Sequence, residues 1–203
     1  VGGRGRAERE EESRPSTGGG ADLGLTLLCW DNCRFLDLLS PLTLNHVVEC
    51  AGSRGESVAY WLASSDGGVE LLQLNDCAIA DCIGERALNH IVQSYRRRGK
   101  SVAFQLCRTE AGRELLCRHD FRLGGLLNAD ALNMVVFTEL DCMGTSVLFF
   151  LCALQGSGSG LQLLCHLDHR LCSLIHADCL NYVVEEPSSR YKGSSVAYRL
   201  SAS

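Results

Sequence analysis

The stretch ALNHIV, residues 87–92, has three near-copies along the chain: TLNHVV from Thr43, ALNMVV from Ala131 and CLNYVV from Cys179. The Asn falls at 45, 89, 133 and 181, in steps of 44, 44 and 48 residues. A Ser-Val pair keeps the same phase at 57, 101, 146 and 195, and a Leu-Leu pair at 71–72, 115–116 and 163–164. GLTLLCWDNC, residues 24–33, also matches GVELLQLNDC, residues 68–77. Markers that recur in phase define an internal repeat, which must be recognised before any fold is assigned. Departures from 44 residues are local, as in the three added residues of ALQGSGSG before Leu163, and such length changes belong in loops.

The chain thus divides into a tail over residues 1–21 and a repeat region over 22–203. The region holds the end of one unit (22–34), three units (35–77, 78–121, 122–169) and a partial one (170–203). The tail, with four Arg and four Glu among Gly, Ser and Pro, has almost nothing to bury and reads as linker. A first residue of Val and a last unit that stops before its Leu-Leu pair suggest a piece of a longer protein.

Within a unit, ERALNHIVQSY carries Leu88, Ile91 and Val92 at i, i+3 and i+4, which predicts one helix through the whole segment. The β-branched pairs offer a strand reading, but the run is short. Ser57, Ser101, Ser146 and Ser195 each stand where an N-cap would open a second helix. A polar break follows, then a third helix with the Leu-Leu pair. A unit this short cannot bury its stripes alone, so neighbours must stack. The expected fold is all-α: an α-solenoid of about four stacked 44-residue repeats with roughly three helices each, with a concave and a convex face.

The segments GESVAYWLASSDGGVELLQL, residues 55–74, and GKSVAFQLCRTEAGRELLCR, residues 99–118, resemble the helix pair of ankyrin repeats. A Gly and a hydroxyl residue precede a helix of small residues, a Gly-containing turn follows, and paired Leu mark the outer helix. The period of 44 residues and the added A-L-N helix depart from that pattern and are similar to armadillo and HEAT units. The resemblance implies a protein-binding scaffold without catalysis. Fold alone does not assign function.

Composition narrows the field. A net charge of −5 gives no footprint for nucleic acid. The longest apolar run, VLFFLCAL at 147–154, is far short of the roughly 20 residues that cross a bilayer, so no membrane insertion is expected. The twelve cysteines mostly alternate, unit to unit, with Ala, Leu or Gly, which is how free thiols behave as small hydrophobes. A cytoplasmic setting with reduced thiols follows, or a host cytosol if the protein is delivered there. In CHLDHRLC, residues 165–172, a continuous helix would put Cys165, His169 and Cys172 on one face, a donor set suited to zinc but present in one unit only. No phosphate loop, nucleophile elbow or zinc-protease motif is present, so no catalytic residue and no cofactor are assigned.

Two columns are candidates for contact with a partner. His46, His90, Met134 and Tyr182 follow the fixed Asn, and a variable set of His, Met and Tyr suits either a solvated position or an adaptable binding face. Asn45, Asn89, Asn133 and Asn181 either tie each unit to the next linker or, as the resemblance to armadillo units implies, hold the backbone of an extended bound peptide. The basic run YRRRGK, 95–100, reads as a solvated loop or as a site for an acidic partner. The function expected is a scaffold binding a protein or peptide along one face. The alternatives are a targeting or regulatory segment of a larger protein, such as a bacterial effector with its activity elsewhere, and a zinc-binding module.

Overall fold

The computed structural model describes residues 39–202 except 139–141, 153–157, 167–168 and 188. The tail at 1–21 and the partial unit at 22–34, with its GLTLLCWDNC match, lie outside the described residues. The described chain is predominantly helical, with one isolated antiparallel bridge between Val136 and Thr145.

Three helices recur in the same order. They are α1 (Pro41–Asn45), α2 (Val58–Ala63) and α3 (Asp66–Cys77), then α4 (Glu85–Asn89), α5 (Val102–Arg108) and α6 (Glu110–Phe121), then α7 (Ala129–Asn133), α8 (Val147–Leu151) and α9 (Ser159–Cys165). A short α10 (Arg170–Ser173) leads to α11 (Ala177–Asn181) and α12 (Val196–Ser201). Single 3-10 turns at Ala80–Cys82 and Gly124–Leu126 occupy the place of α10 in the earlier units.

The serine caps form as the sequence predicts. Ser57, Ser101, Ser146 and Ser195 each accept a hydrogen bond from the backbone N–H three residues on, at 3.1 Å. That bond satisfies one of the donors a helix start leaves unpaired. Each inner helix (α2, α5, α8, α12) packs on the next inner helix, and α3, α6 and α9 pack in series on the outer side. The buried Tyr60 hydroxyl accepts from Gln105 Nε2 at 2.9 Å, which adds a polar tie between α2 and α5.

The turn between inner and outer helix depends on glycine. A Cβ on Gly68, Gly112 or Gly160 would lie 2.1, 2.1 or 2.2 Å from the carbonyl oxygen of Leu62, Leu106 or Leu151. Only a residue with no side chain lets the outer helix start that close to the end of the inner one. The paired leucines then close over it: Leu71, Leu72, Leu115, Leu116, Leu163 and Leu164 are all buried in one hydrophobic cluster with the inner helices.

The A-L-N segment differs from its expected form. The helix stops at the Asn instead of running on through Ile91 and Val92. His46, His90, Met134 and Tyr182 all have extended backbone, with φ between −65° and −61° and ψ between 118° and 124°. The β-branched residues that follow favour extended chain, and here that preference wins over the helical spacing. Five-residue helices are too short to persist alone. Leu44, Leu88 and Leu132 anchor α1, α4 and α7 by complete burial.

After each Asn the chain makes a hairpin. Val48 N donates to Glu56 O and Gly55 N to Val48 O; Val92 pairs likewise with Lys100 and Gly99, Val136 with Thr145 and Gly144, and Val184 with Ser194 and Gly193. The four glycines have φ of +92°, +91°, +82° and +80°, a region other residues enter only with strain.

Candidate functional site

Three of the four recurring asparagines bridge to the following segment. Asn45 Nδ2 donates to Pro41 O at 2.6 Å in its own helix and to Cys82 O at 2.7 Å in the next unit, and Asn45 Oδ1 accepts from Gly84 N at 2.7 Å. Asn89 repeats this with Glu85 O (2.9 Å), Leu126 O (2.7 Å) and Asn128 N (3.1 Å). Asn133 does so with Ala129 O (2.8 Å), Leu174 O (2.8 Å) and His176 N (2.8 Å). Three side chains thus use both ends of their amide inside the chain. Of the two uses open to them, this geometry is that of the tie to the next linker. Asn181 makes the bond within its own helix, to Ala177 O at 2.9 Å, and is exposed.

The column after the Asn lies between hairpins, outside the helix it was assigned to. A Cβ on Gly55 would come 3.1 Å from His90 Nε2, so the imidazole lies against the preceding hairpin. Burial there, and secondarily the Arg86 guanidinium, hold the His90 pKa below its ordinary value. Tyr182 lies against Gly144 and meets Phe137 edge-on, with ring centroids 6.0 Å apart, and burial raises its pKa first, Glu185 second. His46 is exposed. Met134 is exposed as well, at 38%, and is the member that lines a cavity.

That cavity, of about 850 Å³, lies between the second and third hairpins, and its described lining includes Ile91, Tyr95, Met134, Val135 and Phe137 together with Arg96 and Arg98. A second cavity of about 470 Å³ continues it past Asp130, Asn133 and His176. Phe137 is 57% exposed and Tyr95 93% exposed. Sequence reasoning had Met134 and the basic run, but not Phe137 or Ile91, whose place on the cavity wall follows from the extended chain after the Asn.

The other polar cluster is structural in form. His119 Nδ1 meets Asp81 Oδ2 at 3.0 Å and Nε2 lies 3.5 Å from Asp76, while Arg122 pairs with the same Asp81 at 3.1 Å. These bonds, to Asp81 first, raise the His119 pKa. They fasten the end of α6, where Arg118, His119 and Asp120 leave helical geometry, to the 3-10 turn at Ala80–Cys82 and to the end of α3.

The zinc donor set is not brought onto one helix. Residue Cys165 ends α9, His169 has left-handed backbone with φ of 61°, and Cys172 lies in α10, so the continuous helix on which the three would share a face is broken. Among the described residues no group of three His, Cys, Asp or Glu side chains is placed to hold a metal ion. Cys50, Cys82, Cys107, Cys117, Cys142, Cys152, Cys165, Cys172 and Cys179 are free thiols. Burial pushes Cys107 and Cys152 up to about 12, and Cys117 up to about 11.

Fold and site together define a helical protein whose hairpins carry an open, largely apolar cleft, and no described helix is long and apolar enough to cross a membrane. No family model matches the sequence, and neither a curated protein nor a solved structure matches it.

Proposed function

We propose that the chain is a protein-binding scaffold, an α-solenoid of 44-residue units with an ankyrin-like helix pair, that takes a protein or peptide along its hairpin side. The observation that carries this reading is the cleft between the second and third hairpins, where Met134, Phe137 and Tyr95 stand open to solvent in one place. Aromatic residues and Met are favoured at interfaces, and grouped exposed apolar side chains mark contact sites. The Asn ties support a series of stacked units, because each joins one unit to the next at the same two backbone groups. Free thiols suit a reducing, cytoplasmic setting.

The test is selection of binders from a random-sequence library of displayed 12-residue peptides on the full chain. Individual binders are then measured against Met134→Ser/Phe137→Ser and against Leu74→Ser, a residue that is exposed on α3 and lines neither cavity. The scaffold reading expects the groove pair to weaken binding by about tenfold or more, roughly 1.4 kcal/mol, with Leu74→Ser near wild type. Binders indifferent to the groove pair would remove this face from consideration.

A further inference from the structure

The inner helices α2, α5, α8 and α12 pack in series, and each touches its predecessor at one recurring place. The third residue of these helices is Tyr60, Phe104, Phe149 or Tyr198, and the fourth is Trp61, Gln105, Phe150 or Arg199. At each junction the fourth residue of one helix meets the third residue of the helix before it, and the chemistry differs every time. Gln105 Nε2 donates to the Tyr60 hydroxyl at 2.9 Å. The Phe150 ring meets Phe104 edge-on, with centroids 5.5 Å apart. The Arg199 guanidinium lies 4.0 Å from the centroid of the Phe149 ring.

The hairpins carry the same change outward. Arg97 and Tyr191 each stand two residues before the hairpin glycine, Gly99 or Gly193. Arg97 covers the Trp61 ring at 4.4 Å from its centroid and bonds the buried Glu56 at 2.9 Å. Tyr191 instead meets the rings of Phe149 and Phe150 edge-on, at 5.2 and 5.8 Å, and Arg199 lies 5.1 Å from its centroid. These contacts do not interchange. Tyr60 and Gln105 are both buried, so a ring in place of either deprives a buried polar group of this bond, which costs more than the bond itself returns. Phe104 and Phe149 have no side-chain acceptor for an amide. A guanidinium needs a ring face, and an edge-on pair needs two rings.

We propose that these matched pairs fix the order in which the units stack: each inner helix is shaped to accept its own predecessor and to penalise the others. Units of like sequence are prone to assemble out of order, and specificity comes as much from penalising the wrong neighbour as from favouring the right one. The proposal takes from the scaffold reading the stack of like units alone, and its failure leaves peptide binding at the cleft untouched.

Exchange of side chains between two junctions tests it on the full chain. Gln105→Phe/Phe150→Gln keeps the composition but sets each side chain against the wrong predecessor. Its urea midpoint is expected to fall by about 1 M or more. Adding Tyr60→Phe/Phe104→Tyr re-forms both pairs with their places exchanged, and is expected to recover about half of that fall or more, because coupled contacts do not add. A fourfold variant no more stable than the twofold one would overturn the proposal, as would a twofold variant with the wild-type midpoint. If the twofold variant fails to fold, one junction decides. Tyr60→Phe/Gln105→Phe, which carries the ring pair of the second junction into the first, is expected to unfold closer to wild type than Gln105→Phe alone. The reverse ranking would overturn the proposal.

Discussion

Asn89 accepts a hydrogen bond from the backbone N–H of Asn128 at 3.1 Å, and the Asn128 side chain in turn accepts from Ala131 N at 3.0 Å to cap α7. The end of one short helix is thereby tied to the start of its counterpart in the next unit. Removing the Asn89 amide leaves Leu126 O and Asn128 N without a partner. Asn89→Ala is expected to cost about 2–3 kcal/mol, the scale of several lost bonds with partly buried partners. Asn181→Ala removes one exposed bond within its own helix and is expected to cost less than about 1 kcal/mol. Urea unfolding of the two variants checks the difference, and equal costs would deny the Asn89 bridge its role.

The glycine between inner and outer helix gives a sharper contrast. Gly112→Ala places a Cβ 2.1 Å from Leu106 O, so α6 must move off α5. A cost of about 3 kcal/mol is expected, at the upper end for overpacking. Gly67 stands in the first turn of α3 with nothing within 4 Å of an added Cβ. Gly67→Ala is expected to be neutral or to stabilise by about 0.5 kcal/mol through helix propensity. Thermal unfolding that ranks the two the other way would contradict the close approach.

His119 makes stability depend on pH in a stated direction. Its bonds to Asp81 and Asp76 favour the imidazolium, so its folded pKa stands above the ordinary 6.5. The contribution is therefore complete below 6.5 and is lost as pH rises through the elevated folded value. The stability gap between the wild type and His119→Gln is expected to shrink from about pH 5.5 to about pH 8.5. Burial of His90 acts in the opposite sense, but it is present in both proteins and cancels. A gap that grows over this range would contradict the ion-pair arrangement.

Thiol reactivity should sort by position. Cys50 is exposed, whereas Cys107 and Cys152 are buried with pKa values near 12. The thiolate is the reactive form. Brief alkylation at neutral pH, read by peptide mass spectrometry, is expected to mark Cys50 well before Cys107 and Cys152, which label only after unfolding. Rapid labelling of Cys107 in the folded protein would contradict the packing of α5.

Much of this arrangement is legible in the residues themselves. The recurrence of Ser-Val and Leu-Leu placed the inner and outer helices, and the serine caps formed at all four positions. The end of the A-L-N helix was not legible from spacing, because Leu88, Ile91 and Val92 fit a helical stripe and a half-buried hairpin equally well. What decides between them is the extended preference of the β-branched residues after the Asn, which prevails at all four positions. The cleft was still less visible. Met134 stood out as a variable position and Arg96–Arg98 as a basic run, but their meeting depends on how far Gly99 stands from Val136, a distance that no local pattern encodes.

The claim on which the rest depends is that Asn45, Asn89 and Asn133 each fasten their segment to the next. Amide hydrogen exchange at Gly84, Asn128 and His176 measures it directly, since these three N–H groups are bound by Asn45, Asn89 and Asn133. All three should be protected in the wild type. In Asn89→Ala the Asn128 amide should exchange at least about tenfold faster, with the other two little changed, as local opening requires. An Asn128 rate that stays the same in that variant would contradict the account.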